Sequence, residues 1–420
     1  MRDIYIAITG ASYSGNKGAA AMLQSSIEQL YEKYGEKLRV NLMSVWPEAE
    51  KKLVPWAFVK VVSAKAWKVV FIAFPFSVLF WLFRWCKPIK KLLLLNAILK
   101  TYNETDLVID EAGVSFVDSR GFVMNTYAFI SMAIPLLLGI PVVKYSQALG
   151  SFKRLPNRIQ AKIILPKMKL ICARGELTRL YLEGIGITQN VKLCADGAFT
   201  MENNPNITEL VEKVCQNDNF FNSKKIVGIS PSSVVNKKCI KKHINYSKIM
   251  ANFISELLKK GYQILIIANS ARENSTKTRN NDLLICEEIY QRCPDKTNIR
   301  WYHKEMSPEE IREYISKCRF VVASRFHAMI FALTKKVPVL LVGWSHKYQE
   351  VLDFFNLGKY ATDFSNLSTM GLIEGFDQLV DSENDIKKKL DDNYEKVIES
   401  SYKNIEYISE ILDSIKITHD

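Results

Sequence analysis

The close spacing of histidines, cysteines and carboxylates that is typical of metal sites is missing from this sequence of 420 residues. None of its five histidines lies at ligand spacing from a cysteine or a carboxylate, and no Cys-x-x-Cys pair occurs. We therefore predict that the protein binds no metal. Its eight cysteines lie mostly in apolar stretches, which is typical of buried free thiols in a reducing compartment.

The layout of a signal peptide is also missing at the beginning of the sequence. Met1, Arg2 and Asp3 lead directly into the apolar residues 4–8, which are predicted to form a first strand. Together with the cysteine usage, this favours a cytoplasmic location.

Residues 69–83 form an uncharged, apolar run, but this run is too short for a membrane-spanning helix. The run has 15 residues and contains Pro75, whereas a span requires about 20. Tryptophans and basic residues flank it on both sides, within residues 67–91. This pattern favours peripheral contact with an anionic membrane surface through residues 67–91. A buried pair of helices is the alternative, and a full span ranks third.

Acidic residues are fewer than basic ones, with 44 Asp and Glu against 57 Lys and Arg, a net charge of +13. An anionic partner is therefore expected, such as a phosphorylated substrate or a lipid head group. Nucleic acid is not expected, because the lysine-rich stretches lack interleaved aromatic residues. Hydrophobic residues make up 48% of the chain, which excludes a disordered protein.

Predicted strands and helices alternate through both halves of the chain, which indicates parallel sheets covered on both faces. A polar stretch at residues 201–225 separates two such sets. We predict an α/β fold of two doubly wound βα lobes with a long helix over residues 384–415. The N-terminal lobe covers residues 1–204, with an apolar insertion near 51–100, and the C-terminal lobe covers residues 222–420.

A short turn in the second half, Ser324-Arg325-Phe326-His327, lies between a predicted strand and a predicted helix. Backbone N–H groups at the start of the helix favour an anion there, and Arg325 adds a fork suited to a phosphate or carboxylate. His327 adds a side chain that exchanges protons near neutral pH. The alternative is a core histidine and a solvated arginine cap.

Six blocks of the chain, in the same order, make it resemble the polysaccharide pyruvyl transferase family over roughly residues 4–358. The block around the turn is the most recognisable, from Ser324 to Ala328, followed by Val337-Pro338-Val339 and Lys347. The upstream blocks are Gly15-Asn16-Lys17-Gly18, the strand 106–110 with Gly113, Ser146-Gln147-Ala148-Leu149-Gly150, Cys172-Ala173-Arg174-Gly175-Glu176 and Cys194-Ala195-Asp196-Gly197-Ala198-Phe199. The family's glycine turn reads Glu111-Ala112-Gly113 in this chain, and Ala19 stands where an acidic residue is often found.

This resemblance implies a fold similar to two-lobed glycosyltransferases of the GT-B type. It also implies transfer of pyruvate from phosphoenolpyruvate onto two sugar hydroxyls as a ketal, with phosphoenolpyruvate as co-substrate and no cofactor. Arg174, Arg325 and Lys347 would then bind the donor, and His327 would be the proton donor. The acceptor, a sugar or a lipid-linked glycan, would contact Asn16, Gly18, Gly113, Gln147 and Asp196.

Two other functions fit the sequence less well. A nucleotide-sugar glycosyltransferase of the same architecture would require an acidic ribose contact in the second lobe, whereas Arg325 and His327 suit a small dianionic donor. A non-catalytic, membrane-bound scaffold for polysaccharide assembly is favoured by the insertion and by Ala19. The presence of Arg174, Arg325 and His327 argues against it.

Overall fold

The computed structural model of the chain describes residues 2–272, 281–343 and 346–417, except for the side chains of residues 346, 347, 416 and 417. The chain divides into two compact units. The N-terminal unit contains Met1–Ser14, Met22–Thr200 and Glu399–Asp420, and the C-terminal unit contains Gly15–Ala21 and Met201–Ile398.

The N-terminal unit is built on a sheet of seven parallel strands with helices between them. The strands are β1 (Ile4–Thr9), β2 (Leu38–Ser44), β3 (Val59–Ser63), β4 (Leu107–Asp110), β5 (Val142–Gln147), β6 (Leu170–Arg174) and β7 (Val191–Cys194), in the order β3-β2-β1-β4-β5-β6-β7. The helices are α1 (Lys17–Tyr34), α2 (Pro47–Leu53), α3 (Ala66–Lys68), α4 (Phe74–Leu82), α5 (Lys87–Leu93), α6 (Ala97–Asn103), α7 (Gly121–Leu137), α8 (Leu155–Ile164) and α9 (Glu176–Glu183).

The C-terminal unit has a parallel sheet of six strands. These are β8 (Ile226–Ser230), β9 (Gln263–Ile266), β10 (Ile299–Trp301), β11 (Phe320–Ala323), β12 (Val339–Gly343) and β13 (Ala361–Asp363), in the order β10-β9-β8-β11-β12-β13. The helices are α10 (Pro205–Gln216), α11 (Ser233–Ile240), α12 (Tyr246–Lys259), α13 (Leu283–Arg292), α14 (Pro308–Ser316), α15 (Phe326–Thr334), α16 (His346–Phe354), α17 (Thr369–Asp381) and α18 (Glu383–Ile417).

Strand order reverses once in each sheet, between β1 and β4 and between β8 and β11. In doubly wound sheets, ligands bind outside the carboxyl ends of the strands at this switch point. The carboxyl end of β11 leads directly into residues 324–327, so the fold places the predicted turn at the switch point of the C-terminal unit.

The predicted α/β class with two doubly wound parallel sheets is confirmed, as is the long helix at the C-terminal end. The motif Ser307-Pro308-Glu309-Glu310 predicts a capped helix that begins at Pro308, and the structure confirms both the helix and its capping box. The Glu310 N–H donates to the Ser307 hydroxyl at 3.1 Å, and the Ser307 N–H donates to the Glu310 carboxylate at 2.8 Å.

Helix α10 and strand β3 are among the elements that the sequence did not predict. Helix α10 lies in the polar stretch that we interpreted as a domain boundary. Only Val211 and Cys215 of this helix are buried, so the apolar pattern that would predict a helix is short. Strand β3 lies in the apolar insertion, at the edge of the sheet. Its short sequence of valines and a lysine predicts a strand only weakly, as is common for edge strands.

Two short segments belong to a unit other than the one in which their sequence neighbours lie. Residues 15–21 join the C-terminal unit through backbone hydrogen bonds from Lys17 N–H to the Asn269 carbonyl, 3.2 Å, and from Ala271 N–H to the Gly15 carbonyl, 3.0 Å. The end of α18 joins the N-terminal unit, where the Ser401 hydroxyl donates to the Asp196 carbonyl at 2.8 Å. The predicted lobes 1–204 and 222–420 therefore differ from the observed units in these two places.

The apolar segment 69–83 forms one turn of π-helix, Val69–Ala73, followed by α4. Val69, Ala73, Ser77 and Phe80 are buried, and three of these side chains belong to the apolar core of the N-terminal unit. The buried-helix interpretation is therefore correct for one face of this segment, and the other face is exposed. Within the described residues, no helix combines the length and the apolar character that crossing a bilayer requires.

Candidate functional site

The turn after β11 contains a buried hydroxyl and the first residues of α15. Ser324 is fully buried, and its Oγ accepts a hydrogen bond from the Tyr246 hydroxyl at 2.8 Å. Burial raises the pKa of Tyr246, so its hydroxyl stays protonated as a donor. Arg325 precedes α15 in an extended conformation, and His327 lies in the first turn of the helix. The backbone thus places both predicted site residues at the helix N-terminus.

Asp282, which the sequence analysis missed, holds the Arg325 guanidinium. Arg325 Nε and Nη2 donate to Oδ2 and Oδ1 of Asp282 at 2.7 and 2.5 Å, and Nη2 also donates to the Ser233 hydroxyl at 3.1 Å. Burial alone lowers the pKa of the guanidinium, but the Asp282 carboxylate outweighs burial, and the pKa of Arg325 is raised. Among the described residues, Nη1 of Arg325 has no hydrogen-bond partner, so one edge of the fork is held and the other is available.

Gly18 and His327 are in direct contact in the C-terminal unit. A Cβ atom added to Gly18 would lie 1.8 Å from Nδ1 of His327, so only glycine permits this approach. Asn16, also predicted from the first loop, accepts a hydrogen bond at Oδ1 from the Gly18 N–H, 3.2 Å. The structure therefore brings three of the predicted site residues together, although more than 300 positions separate Gly18 from His327.

Two buried polar atoms lie near the ends of strands in the same unit. The Ser230 hydroxyl at the end of β8 and Asn269 Oδ1 after β9 are almost fully buried, and neither makes a hydrogen bond to a described residue. A buried polar atom without a partner is costly, so such atoms often face a ligand. Sequence reasoning could not identify them, since Ser and Asn after strands are also ordinary turn residues.

Arg174 and Asp196 form a buried ion pair in the N-terminal unit, with 2.6 Å between Nη1 and Oδ2. Gly113 lies beside this pair, because a Cβ atom added to it would be 4.0 Å from Arg174 Nη1. Three predicted residues are therefore neighbours at the carboxyl ends of β4, β6 and β7. The Asp196 carboxylate thus fixes the orientation of the Arg174 guanidinium.

Gln147 is part of an internal hydrogen-bond network of the N-terminal unit. Its Oε1 accepts from Ser115 Oγ at 2.6 Å and from Lys144 Nζ at 3.2 Å, and its Nε2 donates to the Asp110 carbonyl at 2.6 Å. Lys144 is fully buried and pairs with the Asp110 carboxylate at 2.6 Å. Both polar ends of the Gln147 amide have protein partners, which favours a structural role over the predicted contact with an acceptor sugar.

Lys347, the third predicted donor ligand, lies in α16, but its side chain falls outside the described part of the chain. The predicted absence of a metal stays a prediction. Across residues 2–272, 281–343 and 346–417, no cluster of three or more His, Cys, Asp and Glu side chains is arranged to hold a metal ion.

Glu111 is a buried carboxyl group at the switch point of the N-terminal unit, directly after β4. Its Oε1 accepts from the Ser26 hydroxyl at 2.6 Å, and its Oε2 has no hydrogen bond to a described residue. Burial raises the pKa of Glu111 to about 8, a hydrogen bond from Ser26 opposes the shift, and the Asp110 charge adds to it. The Glu111 carboxyl is therefore mostly protonated at neutral pH.

We expect Glu111 to make the free energy of unfolding decrease as pH rises from about 4.5 to about 8. The unfolded chain loses this proton near the ordinary value, whereas the folded chain keeps it, so the stabilisation is complete below 4.5 and is lost as pH rises through about 8. One proton limits the slope to about 1.4 kcal/mol per pH unit. Urea unfolding of wild type and Glu111→Gln at several pH values measures it.

Glu111→Gln should flatten this dependence, since glutamine keeps the hydrogen-bonding shape without ionising. Glu104→Gln, a change at an exposed position of the same unit, is the control and should leave the dependence as in wild type. Parallel curves for wild type and Glu111→Gln would show that Glu111 is ionised in the folded protein.

The fold and the two switch points define a two-domain α/β protein of GT-B-like architecture. Solved structures with this fold include Staphylococcus aureus MnaA with UDP, with a TM-score of 0.61, 11% identity and coverage of 98% of this chain and 97% of that one. The UDP-GlcNAc 2-epimerase from Neisseria meningitidis has a TM-score of 0.61 at 14% identity and coverage of 98% and 100%. A glycosyltransferase from Rickettsia africae has a TM-score of 0.56 at 12% identity and coverage of 99% and 98%.

The family follows from the sequence match. The polysaccharide pyruvyl transferase model matches residues 16–346, and the chain belongs to this family. The amylovoran biosynthesis protein AmsJ of Erwinia amylovora is a relative, 20% identical over 292 residues that cover 68% of each chain. The predicted resemblance and the GT-B-like fold are thus confirmed.

Proposed function

We propose that this protein transfers pyruvate from phosphoenolpyruvate onto two hydroxyls of a sugar, as a ketal, during synthesis of a cell-surface polysaccharide. The observation that carries the proposal is the pairing of Arg325 and His327 at the start of α15, at the switch point of the C-terminal unit. This pairing combines an anion-binding fork with a proton donor in a member of a transferase family.

Donor binding is assigned to the edge of Arg325 that Asp282 does not occupy. Phosphoenolpyruvate carries a phosphate and a carboxylate, and an arginine fork suits either group. Asp282 and Ser233 fix the orientation of the guanidinium before the donor arrives, which reduces the entropy lost on binding. The helix N-terminus adds backbone N–H donors for the same anion.

His327 is assigned to proton transfer. Protonation of the methylene carbon of phosphoenolpyruvate would turn it into the methyl group of the product and give the neighbouring carbon oxocarbenium character. One sugar hydroxyl would add to that carbon, and a second would replace the phosphate. The products are the ketal and inorganic phosphate, and the two hydroxyl protons balance the one delivered to carbon and the one that leaves with phosphate.

The acceptor is proposed to be a sugar of a polysaccharide or of its lipid-linked precursor. The relative AmsJ is named for amylovoran biosynthesis, which supports an acceptor of this class. A cytoplasmic location agrees with the donor, which is a cytoplasmic metabolite, and with cysteines that are all free of disulfide bonds. We retain Asp196 and Gly113 as acceptor candidates, since they lie at strand ends beside Arg174.

Incubation of the purified protein with phosphoenolpyruvate and a membrane extract tests the proposal. We expect release of inorganic phosphate together with a gain of mass on the glycan fraction. Consumption of a nucleotide sugar without phosphoenolpyruvate would instead support a glycosyltransferase. Neither reaction, with retention of the protein by the glycan assembly machinery, would support a scaffold.

A further inference from the structure

We propose that residues 67–95 form a docking surface for an anionic lipid bilayer, independently of the reaction proposed above. They lie within residues 51–103, the basic segment, which contains ten Lys and Arg residues and no Asp or Glu. It accounts for most of the net charge of +13 that the chain carries. The positive charge of the protein is therefore concentrated in one stretch of the N-terminal unit.

The helical part of the basic segment is apolar on two opposite faces. The inner face is formed by Val69, Ala73, Ser77 and Phe80, which are buried. The outer face shows a spacing of four residues, and its exposed members are Trp67, Phe71, Pro75 and Leu79. Phe71 is 75% exposed. A helix that is apolar all round needs a second apolar environment, and the fold of the unit covers only one of its faces.

Further exposed apolar side chains follow this helix in the same unit. Trp85 is 74% exposed, and Leu92 and Leu95 are exposed in and after α5. Lys90 Nζ lies 4.9 Å from the centre of the Phe80 ring, so α5 packs back against α4. Single exposed hydrophobic residues are normal, but this many in one short segment, tryptophans among them, indicate an interaction surface.

Basic side chains lie beside the exposed tryptophans. Lys68 Nζ is 5.7 Å from the centre of the Trp67 ring, and the Arg84 guanidinium carbon is 5.8 Å from the Trp85 ring. Tryptophan and lysine together are characteristic of the interface between lipid head groups and acyl chains, where the ring is half buried and the charge meets anionic lipid. The chemistry therefore fits a bilayer surface.

A second copy of the chain fits this surface poorly. Contact between two such faces would bring the basic residues around them, including Lys68, Arg84 and Lys87, close to those of the other copy, and like charges repel. An anionic bilayer supplies the opposite charge and the apolar layer at once. The helical part is also too short to cross it, so it would lie in the plane of the membrane surface.

Sedimentation of the purified full-length protein with vesicles tests the proposal. The vesicles contain phosphatidylcholine alone or phosphatidylcholine with phosphatidylglycerol, at low and high salt. We expect wild type to bind the vesicles with phosphatidylglycerol at low salt, and Lys87→Glu with Lys91→Glu to weaken this binding about tenfold or more. Lys237→Glu with Lys241→Glu changes the net charge equally at exposed positions of the C-terminal unit, and should bind as wild type does.

The apolar contribution is tested by Phe71→Ser with Trp85→Ser, which should remove the binding that persists at high salt. Leu210→Ser, at an exposed position of α10, is its control. Thermal unfolding confirms that each variant is folded, as expected for exposed positions. Wild type that stays unbound at low salt, or equal losses in both lysine pairs, would overturn the proposal. A dimer that depends on Phe71 and Trp85, without vesicle binding, would overturn it as well.

Discussion

His327→Ala is expected to lower turnover by ~10²-fold or more, while phosphoenolpyruvate binding stays within a few-fold of wild type. The side chain is assigned to a proton that is transferred only during the reaction, so its loss removes stabilisation of the transition state rather than of the bound donor. Phosphate release at saturating donor measures turnover, and calorimetry without an acceptor measures binding.

His303→Ala is the matched control for this variant. His303 lies in the same unit, is 56% exposed at its side chain and pairs with the Glu287 carboxylate at 2.8 Å. Its replacement should leave turnover near wild type. Normal turnover in His327→Ala would show that another group delivers the proton, and the turn would then be a structural cap.

Gly18→Ala should reproduce much of the His327→Ala defect without touching the histidine itself. The added methyl group would collide with the imidazole ring at 1.8 Å from Nδ1, so the ring must move from its position. A displacement of about 1 Å can cost a reaction ~10²-fold. Gly35→Ala is the control because nothing lies within 4 Å of the added atom, although its positive φ adds a small strain of its own.

Arg325→Ala is expected to weaken phosphoenolpyruvate binding by about 10- to 150-fold, from the ~1.5 to 3 kcal/mol that a hydrogen bond to a charged group contributes. Turnover should fall too, because the same charge stabilises the leaving phosphate. The variant leaves the fully buried Asp282 without its cationic partner, so folding is checked by thermal unfolding. Calorimetric titration with phosphoenolpyruvate gives the binding change.

Arg325→Lys separates charge from geometry at the same position. Lysine keeps a positive charge near Asp282 but lacks the planar fork, so binding should fall between wild type and Arg325→Ala. Arg300→Ala is the control, since Arg300 makes a similar two-contact pair with Asp218, at 2.7 and 2.9 Å, outside the turn. Unchanged donor binding in both Arg325 variants would rule out the assigned clamp. Arg174→Ala tests the donor contact predicted for the N-terminal unit.

The sequence by itself determined the fold class, the family and the turn at residues 324–327. These follow from local features: alternation of strand and helix patterns, a capping box at Ser307, and short blocks of residues in a fixed order. Local features are readable because the residues that define them are neighbours in the chain. Arg325 and His327 could be predicted as site residues for the same reason.

Only the tertiary structure decided what surrounds those residues. Asp282 contacts Arg325 from a different βα unit of the same sheet. Gly18 contacts His327 although most of the chain separates the two residues in sequence. The raised pKa of Glu111 likewise depends on burial and on its neighbour Asp110, which no pattern in the sequence reveals. Conversely, Gln147 stood out in the sequence as a ligand candidate, yet packing engages both ends of its amide.

The apolar segment 69–83 illustrates the same division. Its composition predicts a helix that needs apolar surroundings, and its basic flanks predict attraction to anions. Which face the core covers depends on how α3, α4 and the π-helical turn pack within the N-terminal unit, and burial of Val69, Ala73 and Phe80 leaves Trp67 and Phe71 exposed. A sequence that is apolar on every side of a helix contains no periodicity from which to choose a face, so only packing could make that choice.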